Sequence, residues 1–161
     1  MKSWKVLGLL AALAGLVVVA FLWSLWQPER QVTKHTENFL LSVERKNWRR
    51  FNSFIHENYA DQWGQDRETI TSHSQEAFKH FFDARITAQQ PVVEAAETTG
   101  RYTAVIRVDG TGTPVAQLVK ERANLLNTPF VFHWKRTGWQ PWKWQLTMVE
   151  NENFEMPQTR F

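Results

Sequence analysis

The stretch PFVFHWKRTGWQPWKWQLTMV, residues 129–149, decides the fold. Over residues 130–137 the chain alternates Phe130, Phe132 and Trp134 with Val131, His133 and Lys135, the period of two that sends successive side chains to opposite faces of a strand. Gly138 turns the chain, and over residues 142–149 Trp142, Trp144, Leu146 and Met148 share one face. This predicts an antiparallel hairpin with an aromatic inner side. Upstream the same period recurs: Ile86, Val92 and Val93 lead to a Thr98-Thr99-Gly100 turn, after which Tyr102, Ala104, Ile106 and Val108 alternate with Thr103, Val105, Arg107 and Asp109, the second set partly toward solvent. Between the hairpins, Pro114 predicts a short helix with Val115, Leu118, Val119, Arg122 and Leu126 on one side; a broken strand pair is the alternative.

Before residue 84 the pattern is helical. Phe39, Leu40 and Val43 recur at three- and four-residue spacing after Thr36, and Asn47 offers an N-cap to a second segment bearing Trp48, Phe51, Phe54 and Ile55. Residues 57–64 have no period and end in Gly64, which marks a loop. Asp66 caps a third helix whose stripe, Ile70, Ala77, Phe78, Phe81 and Phe82, runs to Asp83. Helices followed by an antiparallel meander make an α+β domain, with helices packed on one face of a curved sheet. Phe51, Phe54, Phe78, Phe81, Trp134 and Trp144 are its expected core.

The absence of cysteine excludes thiolate metal sites, iron–sulfur ligation, a Cys nucleophile and an acylated N-terminal cysteine. Residues 6–26 form an uninterrupted run of 21 residues with one Ser and no charge. As a helix this run reaches roughly 32 Å, enough for a hydrocarbon core of about 30 Å. Trp4 at one end and Trp23 and Trp26 at the other suit the headgroup layers, and Lys2 and Lys5 in front predict a cytoplasmic N-terminus. The layout is therefore a cytoplasmic stub (1–5), a transmembrane signal-anchor (6–26), a linker (27–32), a folded domain (33–150) outside the cytoplasmic membrane and a tail (151–161). A cleaved signal peptide ending near Ala20 is the rival, disfavoured because the apolar stretch continues past it. Without Lys2, Lys5 and Arg30 the 19 basic residues fall to 16, and without Glu29 the 16 acidic ones fall to 15, so residues 31–161 are nearly neutral. Nucleic acid is not an expected partner. The one basic cluster, Arg45, Lys46, Arg49 and Arg50, reads as a solvated helix face before it reads as a patch for anionic lipid.

Two or three N-terminal helices, then a bent antiparallel sheet ending in a Trp-rich hairpin, resemble the nuclear transport factor 2-like (cystatin-like) superfamily over about residues 33–150. The resemblance rests on this layout, on Phe39-Leu-Leu-Ser-Val-Glu-Arg-Lys-Asn-Trp48, and on Pro129-Phe-Val-Phe-His-Trp134 with Trp142-Lys-Trp-Gln-Leu146. It implies a cone whose mouth holds a ligand, substrate or partner. No clear first strand is visible between the helices, where only residues 59–63 offer room. One anchor plus one such domain also resembles, in architecture, the bitopic scaffold subunit of type IV secretion machines. Ketosteroid isomerase and scytalone dehydratase, enzymes of the superfamily, imply a polar general base and donors inside an apolar cone.

The residues available for that chemistry are Tyr59, Asp61, Tyr102, His73, His80 and His133. Asp61, between Tyr59 and Trp63, becomes a base if the aromatics desolvate it; otherwise it bonds nearby loop amides. His133 points away from the face of Phe132 and Trp134. His73 and His80 are seven apart, too far for an i, i+4 chelate, so no metal and no cofactor is expected. Tyr59, Asp61, Trp63, Tyr102, Trp134 and Trp144 are the candidate ligand-pocket residues, while Trp139 and Trp142, beside the Gly138 turn, form the candidate partner surface. Three functions compete: a non-catalytic, membrane-tethered binding or assembly module with a protein partner or second copy, an isomerase- or dehydratase-type enzyme, and a carrier of an apolar small molecule. With one carboxylate in an aromatic setting, the residues favour the first over an enzyme.

Overall fold

Pro28 sits in the first turn of a helix, where its missing N–H costs nothing, and separates α1 (Lys2–Leu25) from α2 (Pro28–Glu44) in a computed structural model that describes residues 2–154. Residues 28–32, expected as a linker, are therefore the first turn of α2, and Val32 is fully buried. Among the described residues no single helix is long and apolar enough to cross a membrane; Ala12–Trp23 passes that test only together with Pro28–Glu44, from which it is bent by 59°. The anchor expected over residues 6–26 thus has no support from helix length and hydropathy. The side chains of Lys2, Trp4 and Lys5 lie outside the described ones.

α2 ends at a left-handed residue, Lys46, at φ 52°. The Asn47 amide donates to Ser42 O and the Lys46 amide to Val43 O, the paired bonds that satisfy the last carbonyls of a helix. Lys46 Nζ also reaches Phe81 O, tying this corner to the start of the sheet. The predicted caps follow: Asn47 Oδ1 accepts from the Arg50 amide at the head of α3 (Trp48–Phe54), and Asp66 Oδ1 from the Thr69 amide at the head of α4 (Arg67–Phe78). α4 stops at Phe78. Phe81, expected on the same helical stripe, instead opens β1 (Phe81–Ala95) opposite Gly112, and Phe82 is 78% exposed. The spacing of Phe78, Phe81 and Phe82 fits a helix equally well, so pairing with the next strand decides the matter.

β1, β2 (Thr99–Gly112), β3 (Phe130–Arg136) and β4 (Trp144–Glu150) form one antiparallel sheet in the order β1-β2-β3-β4, the predicted meander. β1 is an edge strand that tolerates Pro91, and a register shift between Gln89 and Val92, with Gln90 at φ 51°, bends it around the helices. α5 (Pro114–Leu125) crosses between β2 and β3 as a helix, not a broken strand pair. Its packed side is Ala116, Val119 and Ala123, whereas Val115 and Leu118, expected inward, are exposed. The small alanines let α5 lie close on β2.

The last hairpin corrects a second face. Trp142 lies in the turn before β4, and a shift between His133 and Trp134 moves the inner position from Leu146 to Val149, so Met148 does not continue the Trp144–Leu146 face. Only a single parallel bridge, Ile55 to Leu146, stands where a first strand was missing from the sequence. Residues 151–154 of the expected tail belong to the fold: buried Asn151 Nδ2 donates to Thr128 O and Pro129 O, while its backbone exchanges two bonds with the Gln62 side chain. The rest of that tail, residues 155–161, lies outside the described residues. Of the expected core, Phe51, Phe81, Trp134 and Trp144 are buried, and Phe54 and Phe78 are half-buried.

Candidate functional site

α2 runs along the sheet from Gly100, where Val32 packs, to the start of β1, where Glu44 accepts from the Ile86 amide. The first part of this layer is filled. Trp134 lies edge-on to His35, Phe39 and Phe54, and Phe39 stacks on Phe51 at 4.8 Å. The second part is hollow: a cavity of about 640 Å³ lies among the C-terminal half of α2, α4, α5 and the sheet. Leu40, Phe78, Ile106, Val119, Phe130 and Phe132 supply much of its apolar wall. Small residues open it, since Ser74 and Ala77 on α4 and Ala123 on α5 line it where larger side chains would meet.

His73, Arg122, Leu125 and Asn153 line the cavity and are exposed, so the mouth lies between α4 and α5, beside residues 153–154. His73 Nδ1 is 2.8 Å from Gln65 Nε2, so the Gln65 side chain holds the imidazole at the mouth. Arg122 makes no ion pair among the described residues, which leaves a guanidinium at the mouth of an otherwise apolar chamber. Such a chamber can hold an apolar body while a polar head stays at the rim.

None of the six residues read from the sequence as pocket-lining borders this cavity. Asp61 is buried in its loop, where Oδ1 accepts from the Trp63 and Gln65 amides at 3.0 and 2.8 Å and Oδ2 from the Tyr59 hydroxyl at 3.3 Å. Burial, with the Asp61 charge beside it, pushes the Tyr59 phenol far above its ordinary value, so it stays a donor. Trp63 Nε1 donates to Phe154 O, and its ring meets Phe154 edge-on. Tyr102, Trp134 and Trp144 are buried in the filled part, with burial and then Glu37 raising the Tyr102 phenol.

The remaining candidates scatter. His133 pairs with Glu150 at 2.8 Å, and His80 lies 3.9 Å from Glu76. The basic cluster divides, since Lys46 bonds Phe81 O while Arg50 donates to Asn38 Oδ1 and lies over the Phe54 ring. Trp139 and Trp142 are 84% and 50% exposed at the turn, while Trp134 and Trp144 are buried. Trp142, Lys143 and Trp144, the last one of the expected pocket residues, border a second, polar cleft with His35, Glu57 and Arg67. The residues that do form the cavity were missed because their role depends on what they leave unfilled. The available signal was Ser74 and Ala77, small residues on the packed side of an amphipathic helix.

No protein-family model and no curated protein matches the chain. Solved structures do. Bd1075 of Bdellovibrio bacteriovorus superposes with a TM-score of 0.58 at 10% identity over 78% of this chain, which spans only 41% of that protein's length. A nuclear transport factor 2-like protein of unknown function from Pseudomonas putida gives 0.57 at 12% identity, over 82% of this chain and 91% of that one. A Streptomyces avermitilis structure whose name proposes a dehydratase of the same family gives 0.58 at 12%, over 76% and 93%. At this identity the likeness shows the fold alone, and that fold is the α+β cone of nuclear transport factor 2-like, cystatin-like proteins.

Proposed function

We propose that this chain is a membrane-tethered, non-catalytic binding domain whose cone holds an amphiphile with an apolar body and an acidic head. The observation that carries the reading is the cavity: about 640 Å³, within the range of small-molecule sites, with apolar walls and, at its rim, the Arg122 guanidinium, which makes no ion pair among the described residues. Tyr59 and Asp61, which an acid–base enzyme would need in the chamber, hold a loop instead. Tethering is supported by α1, whose Leu13, Leu16, Val17, Val18 and Val19 are all more than half exposed, an apolar surface that calls for cover. With Lys2 and Lys5 in front of it, the domain lies outside the cytoplasmic membrane. A reporter active only in the cytoplasm, fused after Phe161, stays silent in intact cells on this reading, and a signal overturns the topology.

Binding is tested by photolabelling the full chain in phospholipid vesicles with a diazirine-bearing C16 fatty acid. The expected adducts fall on Ile106, Val119 or Phe78 and drop at least fivefold in Ala77→Trp, which fills the chamber, or in Arg122→Glu. Adducts confined to α1 overturn the proposal. An enzyme is the second reading, favoured by His73 at the mouth and by the neighbour named as a dehydratase. Recovery of the captured molecule unchanged supports binding, and a conversion lost in His73→Gln supports catalysis.

A further inference from the structure

The loop of residues 137–143, between β3 and β4, carries two exposed indoles that the cavity does not use. Trp139 and Trp142 stand out beside exposed Lys143 and Lys135. An indole has an apolar body and one N–H donor, and this combination is best accommodated at the level of lipid headgroups.

The loop sits where α2 begins. Val32 packs on Gly100, whose neighbour Thr99 pairs with Lys135 near the end of β3, and His35 borders the same cleft as Trp142. His35 lies seven residues beyond Pro28, about 10 Å along a helix. Because α2 is bent by 59° from the preceding helix, only about half of that distance counts along the α1 axis, roughly 5 Å. The headgroup layer on each side of a bilayer is itself about 5–8 Å deep. Trp23 and Trp26, both more than half exposed, stand at the same exit. Acidic Glu57 and Glu97 lie at this end as well, so the contact rests on the indoles rather than on net charge. The cavity mouth, between α4 and α5, is at the other end of α2.

We infer that the 137–143 loop contacts lipid and seats the domain on the bilayer surface beside the exit of α1, leaving the cavity mouth turned away from that surface. The inference rests on the reading of α1 as a membrane anchor. Because the chain has no cysteine, single probes can be placed without background. The full chain, as Trp139→Cys, Phe82→Cys or Val18→Cys, is labelled with a nitrobenzoxadiazole dye in vesicles of three parts phosphatidylcholine to one part phosphatidylglycerol. Quenching is then read with aqueous iodide and with spin labels at the lipid headgroup or mid-chain. The expected result is a probe at position 139 at least fivefold less sensitive to iodide than one at position 82, and quenched by headgroup labels. Iodide access at 139 with position 18 quenched from mid-chain overturns this inference alone. Protection at 139 without lipid quenching means that protein covers the loop, which also overturns it. Iodide access at position 18 overturns the anchor and this inference together.

Discussion

The two ends of the helical layer are built from similar residue types to opposite effect. Where α2 begins, Trp134, Ile55 and Leu146 have almost no exposure, and Phe54 and Trp134 interlock with Phe39, whose stack on Phe51 forms the boundary with the cavity. Where α2 ends, Phe78, Ile106 and Phe130 are only half-buried and face one another across a cavity. Large side chains fill the first end because three elements, α2, α3 and the β3–β4 hairpin, converge on Trp134. At the second end α4 and α5 line the gap with Ser74, Ala77 and Ala123, and side chains this small cannot close it. The same sheet thus carries a close-packed half, which holds the fold, and a hollow half that borders the cavity.

The sharpest way to break this comparison is truncation at each end. Trp134→Ala should cost about 3–5 kcal/mol, because a close-packed site collapses poorly around the void. Ile106→Ala should cost only about 1–2 kcal/mol, since that side chain already borders a cavity and loses fewer contacts. Urea midpoints of the full chain compare the two, and equal losses would mean that the hollow half is as tightly packed as the filled one.

A smaller effect is expected from Gly100→Ala. A Cβ there would stand 2.4 Å from Val32 Cγ2 and 3.4 Å from Val32 Cβ, so the seam between α2 and the sheet has to open. The cost should be about 1–3 kcal/mol. Val32→Ala added to it should recover part of that loss, and a double-mutant cycle showing simple additivity would deny the contact.

The smallest effect concerns His35, inside the filled end. Burial holds its imidazole below the ordinary value, against the opposing pull of hydrogen bonds with the Gln31 and Trp142 backbones. The unfolded chain therefore takes up the proton first. Its contribution to stability is complete above about pH 6.5 and is lost as pH falls toward the lower folded value. The urea midpoint should fall between pH 7.5 and pH 5.5, with a shallower fall in His35→Gln. Identical slopes would assign the pH dependence to other groups.

The sequence by itself determined what depends on neighbours along the chain. Asn47 and Asp66 cap α3 and α4 because a short acceptor side chain can reach an amide three residues on, and Pro114 opens α5 for an equally local reason. The alternation of Tyr102, Ala104 and Val108 placed one face of β2 inward, as the strand period requires. What depends on a distant partner was decided only by tertiary structure. Phe81 left the helical stripe because Gly112 pairs with it across a hairpin, and Met148 lost the inner face to Val149 through a bulge opposite His133. The cavity is the extreme case. Asp61 looked like a base because its neighbours in sequence are aromatic, yet backbone amides from its own loop occupy it. Arg122 and His73, which mark the mouth, come from helices that meet only once the sheet has curled between them. A void is the space that side chains from eight elements fail to fill, and no one segment carries a pattern for it.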